Sequence, residues 1–104
     1  MIQISNLNQL PKSGKVVLVI LNGLRAPCRK FLGEMEQAIG IIESNKIGGS
    51  YFNIQLNQEV KEFFHLTQMP VAIVMVDGVE KARFSGHWIY HFEMARLIQE
   101  GFSL

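Results

Sequence analysis

Two stretches of the chain are apolar without a break, Val16-Val17-Leu18-Val19-Ile20-Leu21 and Val71-Ala72-Ile73-Val74-Met75-Val76. A strand with one wet face alternates apolar and polar positions, so continuous β-branched runs predict strands covered on both faces. Asp77-Gly78 follows the second run and suits a two-residue hairpin turn, which makes Val79 to Ser85 the antiparallel partner. Tyr51-Phe52-Asn53-Ile54 is a shorter strand candidate. From Pro27 to about Ser44, apolar residues fall at Cys28, Phe31, Leu32, Met35, Ile39 and Ile42, the period of an amphipathic helix. Pro27 suits its first turn, where the missing N–H has no partner to lose. Gly33, about 1 kcal/mol worse than Ala inside a helix, predicts a weak spot or kink. Asn57 to His65 reads as a short helix with Asn57 as its cap. A last helix from about Trp88 to Gln99 would bury Met94, Leu97 and Ile98, with Gly101 following its end. Ile2 to Leu10 suggests a short edge strand and one helical turn. The resulting order, β-α-β-α-β-α-β-β-α, predicts an α/β fold with a central mixed sheet flanked by helices on both faces.

Composition narrows the classes of function. A chain of 104 residues supports one domain, expected to span residues 1–104. Hydrophobic residues at 48% and charged residues at 18% exclude intrinsic disorder. The net charge of +1 is far from the basic balance of a dedicated nucleic-acid binder, so no such partner is expected. Its lone cysteine cannot close an internal disulfide, which excludes a small scaffold stapled by bridges. The apolar runs are six residues long where a membrane helix needs about 20, and no membrane partner is expected. The opening residues lack a basic region followed by a long apolar one, and the expected location is cytoplasmic.

Candidate chemistry gathers in Leu24-Arg25-Ala26-Pro27-Cys28, just after the first apolar run. That segment resembles the Trp-Cys-Gly-Pro-Cys of the thioredoxin family. Gln68-Met69-Pro70-Val71 resembles the family's segment with a cis-proline facing the active site. Pro70 to Gly86 matches the family's stretch from that proline to its glycine without a gap, with Asp77-Gly78 at the hairpin turn. The resemblance covers nearly the whole chain, with small length adjustments in the long helix–strand connection and the last helix. It implies the thioredoxin fold and a cis Met69-Pro70 bond.

Three departures from the family bear on function. Arg25 stands where the resemblance places the nucleophilic cysteine, Val19 where it places a buried carboxylate for proton transfer, and Leu24 where it places a tryptophan. Dithiol exchange needs one thiolate to attack and a second thiol to resolve the mixed disulfide. A guanidinium does neither, so dithiol–disulfide oxidoreductase activity is not expected.

Cys28 has two readings. As a catalytic residue it would form mixed disulfides or react with peroxide, since a helix N-terminus and the nearby Arg25 favour a thiolate. Peroxiredoxins, thioredoxin-fold relatives, use a cysteine at this second position but precede it with Pro-x-x-x-Thr-x-x-Cys. No threonine stands among residues 22–27. The other reading is a small buried hydrophobe, inert under the surface. Arg25 is either an anion or carboxylate contact, helped by Arg29 and Lys30, or a solvated side chain.

By the resemblance, Leu24, Arg25, Ala26, Pro27, Met69, Pro70, Gly86, His87 and Trp88 line the groove in which thioredoxins hold extended polypeptide. Strand-like pairing beside the proline gives affinity there, and apolar pockets give selectivity. Leu24, Met69 and Trp88 would form a soft apolar patch, unless Trp88 packs inward as the start of the last helix. His87 and His91 are four apart and Cys28 lies across the groove, but no carboxylate joins them in this reading. A zinc site needs three or four convergent ligands, so neither metal nor cofactor is expected. His65 is read as a helix end, where a protonated histidine would suit the dipole. The expectation is a polypeptide-binding module, chaperone-like or adaptor, whose partner comes in trans. A monothiol redox protein built on Cys28 is the alternative, and a monomer or weak homodimer is the expected state.

Overall fold

The sheet is built around the first apolar run. In the computed structural model, which describes residues 1–104 except Leu24 and His87, that run lies in strand β2 (Lys15–Leu21). The remaining elements are β1 (Ile2–Gln3), α1 (Ala26–Ser44), β3 (Ser50–Gln55), α2 (Gln58–Phe64), β4 (Val71–Val76), β5 (Val79–Ser85) and α3 (His91–Phe102). A 3₁₀ turn at Leu7–Gln9 precedes β2. The strand order is β1-β3-β2-β4-β5. β1 and β2 each run parallel to β3, whereas β4 is antiparallel to β2 and β5 to β4.

β2 and β4 are covered on both faces because their alternate residues serve two cores. Val17, Val19 and Leu21 point toward α1 and α3, meeting Phe31, Met35, Met94 and Ile98. Val16, Leu18 and Ile20 point to the other face, where Val60 and Phe64 of α2 pack with Ile54 and Ile73. Full burial of each such side chain is worth about 1.5–3 kcal/mol, which explains why Val16 to Leu21 carries no polar residue on either face. Among the described residues, no polar or charged residue is buried.

The Asp77-Gly78 turn has both residues at positive φ, 51° and 80°, the geometry that a two-residue hairpin requires. Val74 pairs with Ala82 while Met75 pairs with Glu80, so Lys81 is an extra residue in β5. That bulge disturbs the alternation of β5. α2 is capped as its sequence implies: Asn57 accepts the Val60 N–H at 2.8 Å, and His65 closes the helix at φ 54°.

Two helical details differ from the spacing argument. α1 passes through Gly33 as one uninterrupted helix, since Phe31 and Met35 on either side are anchored in the core. α3 begins three residues after Trp88 and extends three beyond Gln99. Gly101 therefore lies inside the helix, not after it. A Cβ there would come 2.8 Å from Val74 Cγ1, so this glycine permits close approach of α3 to β4. None of the described helices is long and apolar enough to cross a membrane.

Candidate functional site

Strand register brings three connecting segments to one end of the sheet. Ile20 pairs with Val71, and Val71 pairs with Ser85. The chain leaving β2, the chain entering β4 at Met69-Pro70 and the chain leaving β5 at Gly86 are therefore neighbours. After Leu21 the backbone turns at Gly23, whose N–H donates to Gln55 Oε1 at 2.8 Å and ties the turn to β3. Arg25 caps α1 through its backbone alone and is exposed, as are Ala26 and Pro27.

Cys28 is the first side chain of α1 to turn inward. It is 4% exposed, belongs to the core between the sheet and α1/α3, and directs its thiol toward the Asn22 carbonyl at 3.9 Å. Val19, where the resemblance places a carboxylate, is fully buried in the same core. Across the site, the Met69-Pro70 peptide bond is cis, Pro70 is buried and Met69 is half-buried. The Ser85 hydroxyl donates to Gln68 Oε1 at 2.6 Å, holding the proline segment against β5.

Gly86 takes φ 112°, and a Cβ on it would lie 3.3 Å from the Trp88 indole nitrogen. Trp88 is 72% exposed in the link before α3, so it does not start the helix or pack inward. Leu24 and His87 fall outside the described residues, and so do the groove roles expected of them. α3 begins at His91, and the expected pairing of His87 with His91 lies outside the described residues.

A carboxylate does join His91, contrary to the sequence reading. Glu34 Oε2 lies 2.8 Å from His91 Nδ1, bridging α1 and α3. The hydrogen bond from His91 holds the Glu34 carboxyl below its ordinary range, with burial opposing. Among the described residues, no group of three or more His, Cys, Asp or Glu side chains is placed to hold a metal.

The sequence reading also missed the neighbours of that pair. Lys30 Nζ sits 4.9 Å from the centre of the Tyr90 ring, and the His91 and Phe92 rings are 4.3 Å apart. Tyr90 and Phe92 are 61% and 71% exposed. One signal was available: Phe92 precedes Met94 by two residues, a rotation of about 200° that takes it off the buried stripe.

No protein-family model matches the chain, and no curated protein sequence does. Solved structures do match. The thioredoxin of Trypanosoma brucei brucei superposes with a TM-score of 0.77 at 12% identity, over 99% of this chain and 91% of that one. A mutant thioredoxin of Halobacterium salinarum gives 0.75 at 14% identity, over 99% and 91%. Fasciola hepatica thioredoxin gives 0.69 at 22% identity, over 86% and 84%. The chain has the thioredoxin fold. Identities this low carry the fold alone, so the chemistry of the site rests on its own side chains. In this thioredoxin-like chain the described part of the site presents one guanidinium, a half-buried Met69, an exposed indole and a thiol beneath the surface.

Proposed function

We propose that this thioredoxin-like chain performs no dithiol–disulfide exchange and works as a polypeptide-binding module, chaperone-like or adaptor. Its binding surface is the groove around Arg25-Ala26-Pro27-Cys28 and Pro70. The observation that carries this reading is the contrast at the start of α1: Arg25, Ala26 and Pro27 face solvent while the only thiol of the chain is 4% exposed. Exchange needs an attacking thiolate and a resolving thiol, and one buried sulfur supplies neither pair nor access. The rest of the groove suits recognition. An extended client pairs its backbone beside Pro70, lays apolar side chains on Met69 and Trp88, and meets Arg25 with a carboxylate. The near-balanced charge argues for a protein partner in trans over nucleic acid or a membrane surface, and the cytoplasm is the proposed place of action.

Two measurements test the reading. The first is alkylation of Cys28 in native and denatured protein, together with disulfide reduction on a protein substrate. The expected result is modification only after unfolding, and no reductase activity. Native modification at the rate of a free thiol would restore the monothiol alternative, in which Cys28 forms mixed disulfides or reacts with peroxide. The second is titration with a tryptophan-free, permanently unfolded polypeptide, read by the emission of Trp88, the only tryptophan. A saturable change that disappears in Met69→Ser or in Arg25→Glu supports the groove. No change at any concentration removes it.

A further inference from the structure

We infer that the groove has a polar subsite beside Pro70 that takes an uncharged carboxamide side chain, Gln or Asn, of the bound polypeptide; this rests on the polypeptide-binding reading above. Between the proline segment and the end of β5 lies a cavity of about 350 Å³, whose lining includes Thr67, Gln68, Val71, Arg83 and Ser85. Its walls are the immediate neighbours of groove residues: Gln68 precedes Met69, Val71 follows Pro70 and Ser85 precedes Gly86. Val71 and Ser85 are opposite partners in β4 and β5, so their side chains leave the sheet on the same face. That face is the one on which Val71 packs with Val60 and Phe64 of α2. An extended client lying beside Pro70 turns every second side chain to one side, which brings one of them within reach of the cavity.

The cavity wall is tied in place and its charge is balanced. Arg83 donates from Nε and Nη2 to the Glu80 carboxylate, and from Nη1 to the Phe64 carbonyl at 2.9 Å, which links the end of α2 to β5. Arg83 is the one charged side chain of the described lining, and Glu80 is its partner. The Ser85 hydroxyl donates to Gln68 Oε1 at 2.6 Å, so the oxygen end of that amide is taken. Among the described residues, Gln68 Nε2 and the Thr67 hydroxyl have no protein partner. What remains unspent is mainly donors: the Gln68 amide, the further N–H groups of Arg83 and the Thr67 hydroxyl, which also accepts. A carboxamide matches that set, its carbonyl taking N–H bonds and its own N–H reaching the Thr67 oxygen. An apolar side chain laid over the cavity would cut Gln68 and Thr67 off from water without replacing those bonds. A carboxylate would lose hydration against a cation that Glu80 already balances, and an ammonium would bring donors to donors.

The test uses the full chain and four blocked, tryptophan-free peptides of about ten residues. They share one alanine, valine and serine host and differ at a single central guest: glutamine, leucine, glutamate or lysine. The readout is Trp88 emission. The glutamine peptide is expected to bind tightest, about tenfold ahead of each of the others. Gln68→Leu/Thr67→Val should bring it down to the level of the leucine peptide. Gln68→Glu keeps an acceptor for Ser85 but replaces the donor by a negative charge, and should move the preference to lysine. Thermal melts confirm each fold, which the exposure of Thr67 and Gln68 favours. Equal binding of the four peptides, or tighter binding of any but the glutamine peptide, overturns the subsite and leaves the polypeptide-binding reading intact. So does failure of all four while the unfolded polypeptide binds. A glutamine preference that survives both variants lies elsewhere on the surface and overturns the subsite as well. If neither the peptides nor the unfolded polypeptide bind, the functional reading falls and the subsite with it.

Discussion

Cys28 and Trp88 border the same site and have opposite fates. The cysteine is sealed into the core below α1, whereas the tryptophan stands 72% exposed above it. Among the described residues, the buried core under the site is hydrocarbon apart from the thiol itself, with Val19, Ala72 and Val74 in the same cluster. The surface beside it carries an exposed guanidinium at the start of α1, and further along an ammonium against an exposed aromatic ring. The thioredoxin fold is thus kept here around a core of hydrocarbon.

The strongest way to break this contrast is to put a carboxylate back into the interior. Val19→Asp would bury an unpaired charge at a fully buried position, and we expect a loss of about 3–5 kcal/mol at neutral pH. Burial raises such a carboxyl's pKa above its unfolded value, so the penalty is present at high pH and disappears below the unfolded value. Urea unfolding at several pH values checks both size and sign. A neutral Val19→Asp would show that the interior is wet and that the contrast is false.

Gly101→Ala tests the same interior from the other side. Its Cβ would collide with Val74, costing about 1–3 kcal/mol, and Val74→Ala in the same chain should recover part of that loss. Thermal melts of the two single variants and the double variant decide the matter. If Gly101→Ala is stabilising, α3 does not approach β4 as closely as described.

On the surface the expectation inverts. Trp88→Ser and Phe92→Ser should change unfolding free energy by no more than about 0.5 kcal/mol, because both rings are largely exposed. Trp88→Ser should nonetheless weaken binding of the unfolded polypeptide severalfold by calorimetry. A large stability loss without a binding loss would make these rings structural and dissolve the contrast.

The smallest effect belongs to the Glu34–His91 bridge. Its carboxyl is held below the ordinary range by His91, so its contribution is present above that range and is lost as pH falls through the lower folded value. Glu34→Gln should lower the neutral plateau slightly and flatten the acid limb, so that the two proteins converge in stability at low pH. An acid limb that keeps its slope in Glu34→Gln would mean the bridge is not formed in solution.

Legibility followed the range of the interactions involved. The strands β2 and β4, the hairpin at Asp77-Gly78, the Asn57 cap and the helix after Pro27 were readable because each depends on neighbours within a few positions. The start of α3 was not. The apolar pattern from Trp88 onward allowed an earlier start, and only the link from Gly86 to Tyr90 left Trp88 outside the helix. Gly101 was misplaced for a related reason, because a glycine near a helix end resembles a cap until the strand packed against it is known. In the site, Arg25, Ala26, Pro27, Met69, Pro70, Gly86 and Trp88 were nameable from spacing and resemblance. Lys30, Glu34, Tyr90, His91 and Phe92 are brought together only because α1 and α3 lie side by side.

The sequence by itself determined the α/β frame and the single thiol. Both follow from residue identity and short-range periodicity. Tertiary structure alone decided that the thiol is buried, that the indole is exposed and that a carboxylate meets His91. Those facts depend on which face of each element meets its neighbour, and residues far apart in the chain set them together.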